Sequence, residues 1–183
     1  MTRNKANDVL KMVLTALFAA LVCVATMLVH IPVPVTGGYA NLGDGVILLG
    51  AFMLHPMYAV IAAGIGSMLA DILASYVQYA PATLVIKAAV AIVAALIYNR
   101  FGKEKQTKVS VLWMAVAGLA AEAVMVLGYF FYEAVILQYG LAAAAAIPAN
   151  IGQGAVGILV SCTVAPLLQN NGEVKNLMNK TWK

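Results

Sequence analysis

Five ionisable side chains lie inside or at the edges of apolar stretches of this sequence, where an isolated charge is costly. They are Asp44, Asp71, Lys87, Glu122 and Glu133. If the stretches cross a bilayer, each charge costs at least about 2 to 3 kcal/mol near its centre, so such residues normally face an internal cavity or a charged partner. These five residues are therefore the first candidates for a functional site.

The spacing of three side chains in the second half of the chain predicts one wall of a binding cavity. Glu122, Tyr129 and Glu133 lie at positions i, i+7 and i+11, so they share one face of a helix. Tyr76, Tyr79 and Tyr132 fall near a predicted span boundary, a position that also fits interfacial aromatic residues.

Two amides in the last apolar stretch form a second candidate wall. Asn150 and Gln153 share a helical face with Gly154 and Gly157. Amide groups bring both donors and acceptors for a polar ring, and the glycines allow another backbone to approach. The alternative is that amides and small residues simply hold two helices together, which is common in membranes.

The charges nearest the middle of the chain allow two interpretations each. Asp71 and Lys87 belong to adjacent stretches and lie at similar predicted depths, so they form either a structural ion pair or a site in which Lys87 contacts a ligand. Asp44 follows Asn41 in a Gly-rich segment at a predicted helix start. Its carboxylate either complements the helix N-terminus or anchors the preceding loop over a site.

Composition assigns the chain to the membrane. Of its 183 residues 63% are hydrophobic and 10% are charged, and the mean hydropathy is +0.92, which is too apolar for a soluble domain of this size. The net charge of +4 does not indicate nucleic-acid binding, because the basic residues are segregated at span ends and do not form a patch with aromatic residues between them.

Cys23 and Cys162 lie in apolar runs and show neither a disulfide framework nor metal-ligand spacing. We expect no metal and no cofactor.

Six apolar runs are candidates for spanning helices. They cover residues 12–29, 42–54, 57–77, 83–98, 109–136 and 148–168. The second run, with about 13 residues, is either a shortened helix shielded by protein or one arm of a hairpin with the third run.

The distribution of positive charge predicts the topology. Ten of the eleven Lys and Arg residues fall at the N-terminus, in one central hinge or in the C-terminal tail, namely Arg3, Lys5, Lys11, Arg100, Lys103, Lys105, Lys108, Lys175, Lys180 and Lys183. Basic residues that flank spans stay on the cytoplasmic side, so an even number of crossings separates each cluster from the next. The sequence therefore predicts an all-α, polytopic membrane protein, a six-helix bundle with both termini in the cytoplasm and a single domain over residues 1–183.

The first run carries a stripe of small residues. Ala16 and Ala20 lie at i and i+4, which permits close packing against another helix of this chain or of another protein.

Four segments resemble a known family, the substrate-binding S components of energy-coupling factor (ECF) transporters. They are residues 14–21 with the Ala16/Ala20 spacing, residues 38–49, residues 65–71 and residues 79–87. The last three are similar to the riboflavin-type branch, whose members also include proposed hydroxymethylpyrimidine and pyridoxine carriers.

The resemblance implies a bacterial cell-membrane protein that captures a vitamin beneath its first loop. It also implies association with a membrane scaffold, the T component, through Ala16 and Ala20, and with two cytoplasmic ATPases.

Ligand contacts in the family come from the first loop and from helices four to six. The resemblance therefore implies that the ligand is contacted by Asn41, Lys87, Glu122, Tyr129, Asn150 and Gln153. The glutamates, amides and tyrosines favour a ring with amino or hydroxyl groups over a polyanion, so we expect a hydroxymethylpyrimidine-like or pyridoxine-like ring, with riboflavin as the alternative.

Two other classes of protein fit the sequence less well. A self-sufficient secondary transporter would use Glu122 or Glu133 as a proton relay, but the internal repeat common in such carriers is not visible. An intramembrane enzyme would need Asp44 and Asp71 as a carboxylate dyad, and no catalytic motif accompanies them. We therefore expect a transport subunit with no catalytic residues and no ATPase site of its own.

Overall fold

The computed structural model describes the backbone of residues 2–181 and the side chains of residues 5–180. Arg3 and Lys183, two members of the basic clusters, lie outside the described side chains. The described chain forms seven α-helices and one β-hairpin, namely α1 (Thr2–Leu28), β1 (Ile31–Val33), β2 (Gly38–Ala40), α2 (Gly43–Met53), α3 (Pro56–Leu73), α4 (Ala80–Phe101), α5 (Thr107–Phe131), α6 (Ile147–Asn170) and α7 (Gly172–Thr181). A π-helical turn, Tyr132–Ile136, and a 3-10 segment, Gly140–Ala146, connect α5 to α6.

The predicted helical membrane fold is confirmed in its main features. Five helical stretches are long and apolar enough to cross a bilayer, namely Lys5–Leu28, Pro56–Leu73, Ala80–Phe101, Thr107–Ile136 and Gly140–Asn170. The helix α2 is apolar but has only 11 residues, fewer than the roughly 20 that a crossing needs. Six crossings and cytoplasmic termini therefore stay predictions.

The short helix α2 lies inside the bundle. It packs against α1, α3, α4 and α6, and Leu48 and Ala51 are completely buried. A short helix is acceptable at membrane depth when neighbouring protein, rather than lipid, surrounds its ends. The structure thus has the shielded short helix, one of the two alternatives that the sequence allowed.

The turn between α2 and α3 has a local chemical cause. Leu54 is extended, and the His55 side chain accepts a hydrogen bond from the Met57 backbone at 3.4 Å. Pro56 at the first helical position needs no hydrogen-bond partner for a backbone N–H. The chain therefore leaves α2 and starts α3 within two residues.

The hairpin between α1 and α2 was predicted only as a covering loop. Its strands are antiparallel, with Ile31 paired to Ala40 and Val33 to Gly38. Gly37 has a φ of +66°, a left-handed conformation that glycine adopts without strain. The hairpin covers the N-terminal ends of α2, α4 and α6.

Close backbone contacts bring α6 against α2. A Cβ atom on Gly157 would lie 3.0 Å from Asp44 Cβ and 3.2 Å from the Gly45 nitrogen. Glycine at this position therefore permits a helix separation that alanine would oppose.

Candidate functional site

A cavity lies beneath the hairpin, between the N-terminal ends of α2, α4 and α6. Its volume is about 30 Å³. Small-molecule sites usually have about 300 to 1,000 Å³, so the cavity must widen to accept a ring-sized ligand. The polar residues of its lining are Thr26, Thr36, Tyr39, Asn41, Ser67, Asp71, Tyr79, Thr83, Lys87, Tyr129, Glu133, Asn150 and Gln153.

Tyr39 attaches the second strand of the hairpin to α3. Its hydroxyl donates to Asp71 Oδ1 at 2.5 Å. Burial and the neighbouring Asp71 carboxylate raise the pKa of Tyr39, so the phenol stays protonated and remains a donor. The Tyr39 ring also packs on His30 and Tyr76, with centroid separations of 4.3 and 4.4 Å.

Tyr79, just before α4, holds the other side of the hairpin. Its hydroxyl lies 2.8 Å from the Thr36 carbonyl and 3.1 Å from Glu133 Oε1. Burial, and next the charge of Glu133, raise the pKa of Tyr79. The interpretation of Tyr79 as an interfacial aromatic residue is wrong, because the side chain is buried at the cavity wall.

A chain of hydrogen bonds joins the end of the hairpin to three helices. The Asn41 backbone donates to Gln153 Oε1 at 2.6 Å, and Gln153 Nε2 donates to Asp44 Oδ2 at 2.5 Å. The other carboxylate oxygen of Asp44 accepts from Lys87 Nζ at 2.6 Å. Gln153 therefore links the covering hairpin to the ion pair of Asp44 and Lys87.

The structure corrects one interpretation of these charges. Lys87 forms its ion pair with Asp44 and not with Asp71, whose Oδ1 is bound to Tyr39. At the start of α2, Asn41 Oδ1 accepts a hydrogen bond from the Gly43 nitrogen at 2.9 Å. Asp44 does lie in the first turn of α2, where a carboxylate complements the helix dipole.

Three polar atoms in the cavity lining make no hydrogen bond of normal geometry to a described residue, although Thr83 lies near the Asp71 carboxylate and Thr36 near that of Glu133. They are Asp71 Oδ2, Glu133 Oε2 and Ser67 Oγ. Each belongs to a side chain that is at most 3% exposed. A buried carboxylate oxygen without a partner is costly, so a bound molecule with donor groups would stabilise this arrangement.

Five of the six predicted ligand-contacting residues meet at this cavity. Asn41, Lys87, Tyr129, Asn150 and Gln153 all line it. Tyr129 shares a hydrogen bond with Thr83 at 3.0 Å, and Lys87 Nζ lies 5.5 Å from the Tyr129 ring centroid.

Glu122 does not contribute to the cavity wall, contrary to the prediction. It is 5% exposed, and both of its carboxylate oxygens lack a partner in the described part of the chain. A Cβ atom on Gly154 would lie 3.0 Å from its side chain. Glu122 precedes Tyr129 by seven residues, about 10 Å along the helix, so it lies deeper in the bundle than Tyr129 and Glu133, which both line the cavity.

Sequence reasoning missed Tyr39 and Thr83 as cavity residues. Their positions in the sequence could have indicated them, because Tyr39 belongs to the predicted covering loop and Thr83 lies one helical turn before Lys87. The carboxylate dyad, which the sequence already disfavoured, also gains no support, since Asp44 bonds to Lys87 and Gln153 whereas Asp71 bonds to Tyr39. The described residues contain no group of three or more His, Cys, Asp and Glu side chains that could hold a metal ion.

Apolar helices around a polar, hairpin-covered cavity define a membrane-embedded binding protein. A family model described as "ECF-type riboflavin transporter, S component" matches residues 6–170. The chain therefore belongs to the S component family, the vitamin-binding subunits of ECF transporters, as its resemblance had predicted.

Two individual proteins are also similar. A protein of Pyrococcus woesei, described only as uncharacterised, is 35% identical over 155 residues, which cover 81% of this chain and 99% of the relative. The solved S component of a bacterial ECF transporter has a TM-score of 0.66 at 20% identity, over 87% of this chain and 95% of that one. The second likeness confirms the fold.

Proposed function

We propose that this chain captures a small water-soluble vitamin or vitamin precursor whose ring bears N–H or O–H donors. A hydroxymethylpyrimidine-like or pyridoxine-like ring is the leading candidate. One observation carries this choice: one carboxylate oxygen each of Asp71 and Glu133 makes no hydrogen bond of normal geometry to a described residue. In each carboxylate the other oxygen accepts from a tyrosine, so the side chain is held in place for a ligand.

The charges around the cavity disfavour an anionic ligand. Lys87 is the lysine in the lining, and it is already paired with Asp44. Two further carboxylates, Asp71 and Glu133, face the same space. A phosphate or carboxylate group would therefore meet more negative than positive charge, which is unfavourable in a buried site.

Riboflavin is the second candidate, because the matching family model is described as a riboflavin transporter component. Tyrosines 39, 79 and 129 line the cavity and would offer aromatic surfaces to a flat ring system. The two candidates differ in size and in their pattern of donors, so identification of one bound compound separates them.

We propose that transport requires a T component and two ATPases. The supporting surface is an apolar groove of about 680 Å³ between α1 and α3, and Ala16, Ala19 and Ala20 lie along it. Ala16 and Ala20 are exposed, so their small side chains leave room for a partner helix. In this proposal the chain is one domain, residues 1–183, in a bacterial cell membrane with both termini cytoplasmic.

Mass spectrometry of small molecules retained by the purified chain tests the proposal. The expected result is one pyrimidine or pyridine compound, or riboflavin for the second candidate, in stoichiometric amount. Saturable uptake by liposomes that contain this chain alone would contradict the need for partners. Retention of an anionic metabolite would contradict the assigned ligand chemistry.

A further inference from the structure

A second cavity lies at the opposite end of the bundle, where α4 ends and α5 begins. It has a volume of about 210 Å³. The vitamin cavity is formed at the N-terminal ends of α2, α4 and α6, whereas this one is formed near their C-terminal ends, at Phe52, Tyr98 and Gln169. The two cavities are therefore separated by the length of the helices.

The floor of this cavity is a hydrogen-bonded network. The Tyr98 hydroxyl lies 3.0 Å from Ser110 Oγ and 3.2 Å from Gln169 Oε1. Gln169 Nε2 in turn donates to the Phe52 carbonyl at 3.1 Å. These contacts join α2, α4, α5 and α6 and therefore fix the floor of the cavity.

Three lysines from two separate parts of the chain surround the opening. Lys103 and Lys105 come from the loop before α5, and Lys175 comes from α7. Among the residues that the structure describes, no Asp or Glu contributes to this lining. Three ammonium groups around one small space without a lining carboxylate create a positive potential there.

The pKa of Lys103 reflects partial desolvation at the cavity rather than the charge of the other lysines. Burial lowers the pKa of Lys103 to about 8, while the charge of Glu104 acts in the opposite direction. An anion in the cavity would favour the charged ammonium and raise this pKa.

We propose that this cavity binds a phosphate group, supplied either by the headgroup of an anionic lipid or by free inorganic phosphate. The lysines supply the charge, and the hydroxyls of Thr107 and Ser110 supply donors beside them. Basic pockets between helices at a membrane surface are suited to phospholipid headgroups. The site is independent of the vitamin cavity and goes beyond the proposed function.

The test is an affinity measurement on the full chain in detergent. The melting temperature is followed while a short-chain phosphatidylglycerol or inorganic phosphate is added. The double variant Lys103→Gln/Lys175→Gln is compared with Lys108→Gln/Lys180→Gln, which removes the same charge from exposed positions outside the cavity lining. We expect a saturable rise in the wild type and an affinity about tenfold weaker in the cavity variant.

The two probes distinguish the sources of the phosphate group. A response to phosphatidylglycerol alone assigns a lipid headgroup, and a response to inorganic phosphate as well assigns the free anion. Equal losses in the cavity and control variants, or no saturable response in the wild type, would overturn the proposal.

A second measurement does not depend on the variants. Nitrogen-15 NMR of the lysine ammonium groups in the wild type should show the pKa of Lys103 rising when the effective probe is added. An unchanged value at saturating probe would also overturn the proposal.

Discussion

Lys87 on α4 and Asp44 on α2 form a buried ion pair, with Nζ 2.6 Å from Oδ1 and both side chains at most 3% exposed. The second oxygen of Asp44 accepts from Gln153 on α6. The pair therefore joins three helices beneath the hairpin-covered cavity. Because its charge is already compensated, we expect Lys87 to stabilise the floor of this cavity.

Removal of the lysine charge should destabilise the fold. Lys87→Met leaves the Asp44 carboxylate buried without its cation, which should reduce the free energy of unfolding by about 3 to 5 kcal/mol. Denaturant unfolding in detergent measures this change. The double variant Asp44→Asn/Lys87→Met should recover part of the loss, and Lys180→Met is the exposed control. Full stability of the single variant would show that the pair does not contribute.

Loss of the Tyr79 hydroxyl should loosen the hairpin. Tyr79→Phe removes the donor to the Thr36 carbonyl and to Glu133. We expect amide hydrogen exchange in residues 31–40 to become about tenfold faster, the amount expected for the loss of one buried hydrogen bond. Tyr58→Phe, in the groove beside α1, is the matched control. The same exchange rate in both variants would argue against a role for Tyr79 as an anchor.

Enlargement of Gly157 should separate α6 from α2. In Gly157→Ala the new Cβ would lie 3.0 Å from Asp44 Cβ, and such overpacking costs about 1 to 3 kcal/mol. Gly152→Ala on the same helix is the control, because a Cβ there meets nothing within 4 Å. Thermal unfolding should show destabilisation of the first variant only. Equal melting temperatures would contradict the close contact.

Much of the fold could be predicted from the sequence, because the length of an apolar run indicates a spanning helix and clusters of basic residues indicate the ends of such helices. The predicted hydrophobic runs correspond to the major helices, and the short run at 42–54 was recognised as exceptional. The hairpin was not predicted, since strands of three residues are too short for a period-two pattern. The helix α7 was not predicted either, because it lies in a polar tail without a long apolar run.

The site was harder to predict, because the depth of a residue along its helix does not tell which neighbouring helix its side chain faces. Asp71 and Lys87 were assigned similar depths, but α2 lies between the outer helices and places Asp44 next to the lysine. Glu122 was assigned to the same wall as Tyr129 and Glu133, but it lies seven residues before Tyr129, about 10 Å deeper along α5. Which helix ends meet beneath the hairpin depends on tertiary packing and leaves no simple periodicity in the sequence.

A larger residue at the alanine stripe should impair assembly without impairing capture. Ala16→Leu fills part of the groove between α1 and α3, so co-purification with a T component should decrease about tenfold or more, as for loss of a central interface contact. Ala155→Leu, at an exposed position on α6, is the matched control. Normal assembly of the Ala16 variant would remove this surface from the proposed interface.

Calorimetric binding of hydroxymethylpyrimidine to the purified chain tests the central claim that the carboxylates of Asp71 and Glu133 receive the donors of the ligand. The account predicts saturable binding by the wild type and a loss of affinity of about tenfold or more in Asp71→Asn and in Glu133→Gln, because each loses a charged hydrogen-bond acceptor. Glu104→Gln, at the opposite end of the bundle, should bind normally. Wild-type affinity in both cavity variants would contradict the account.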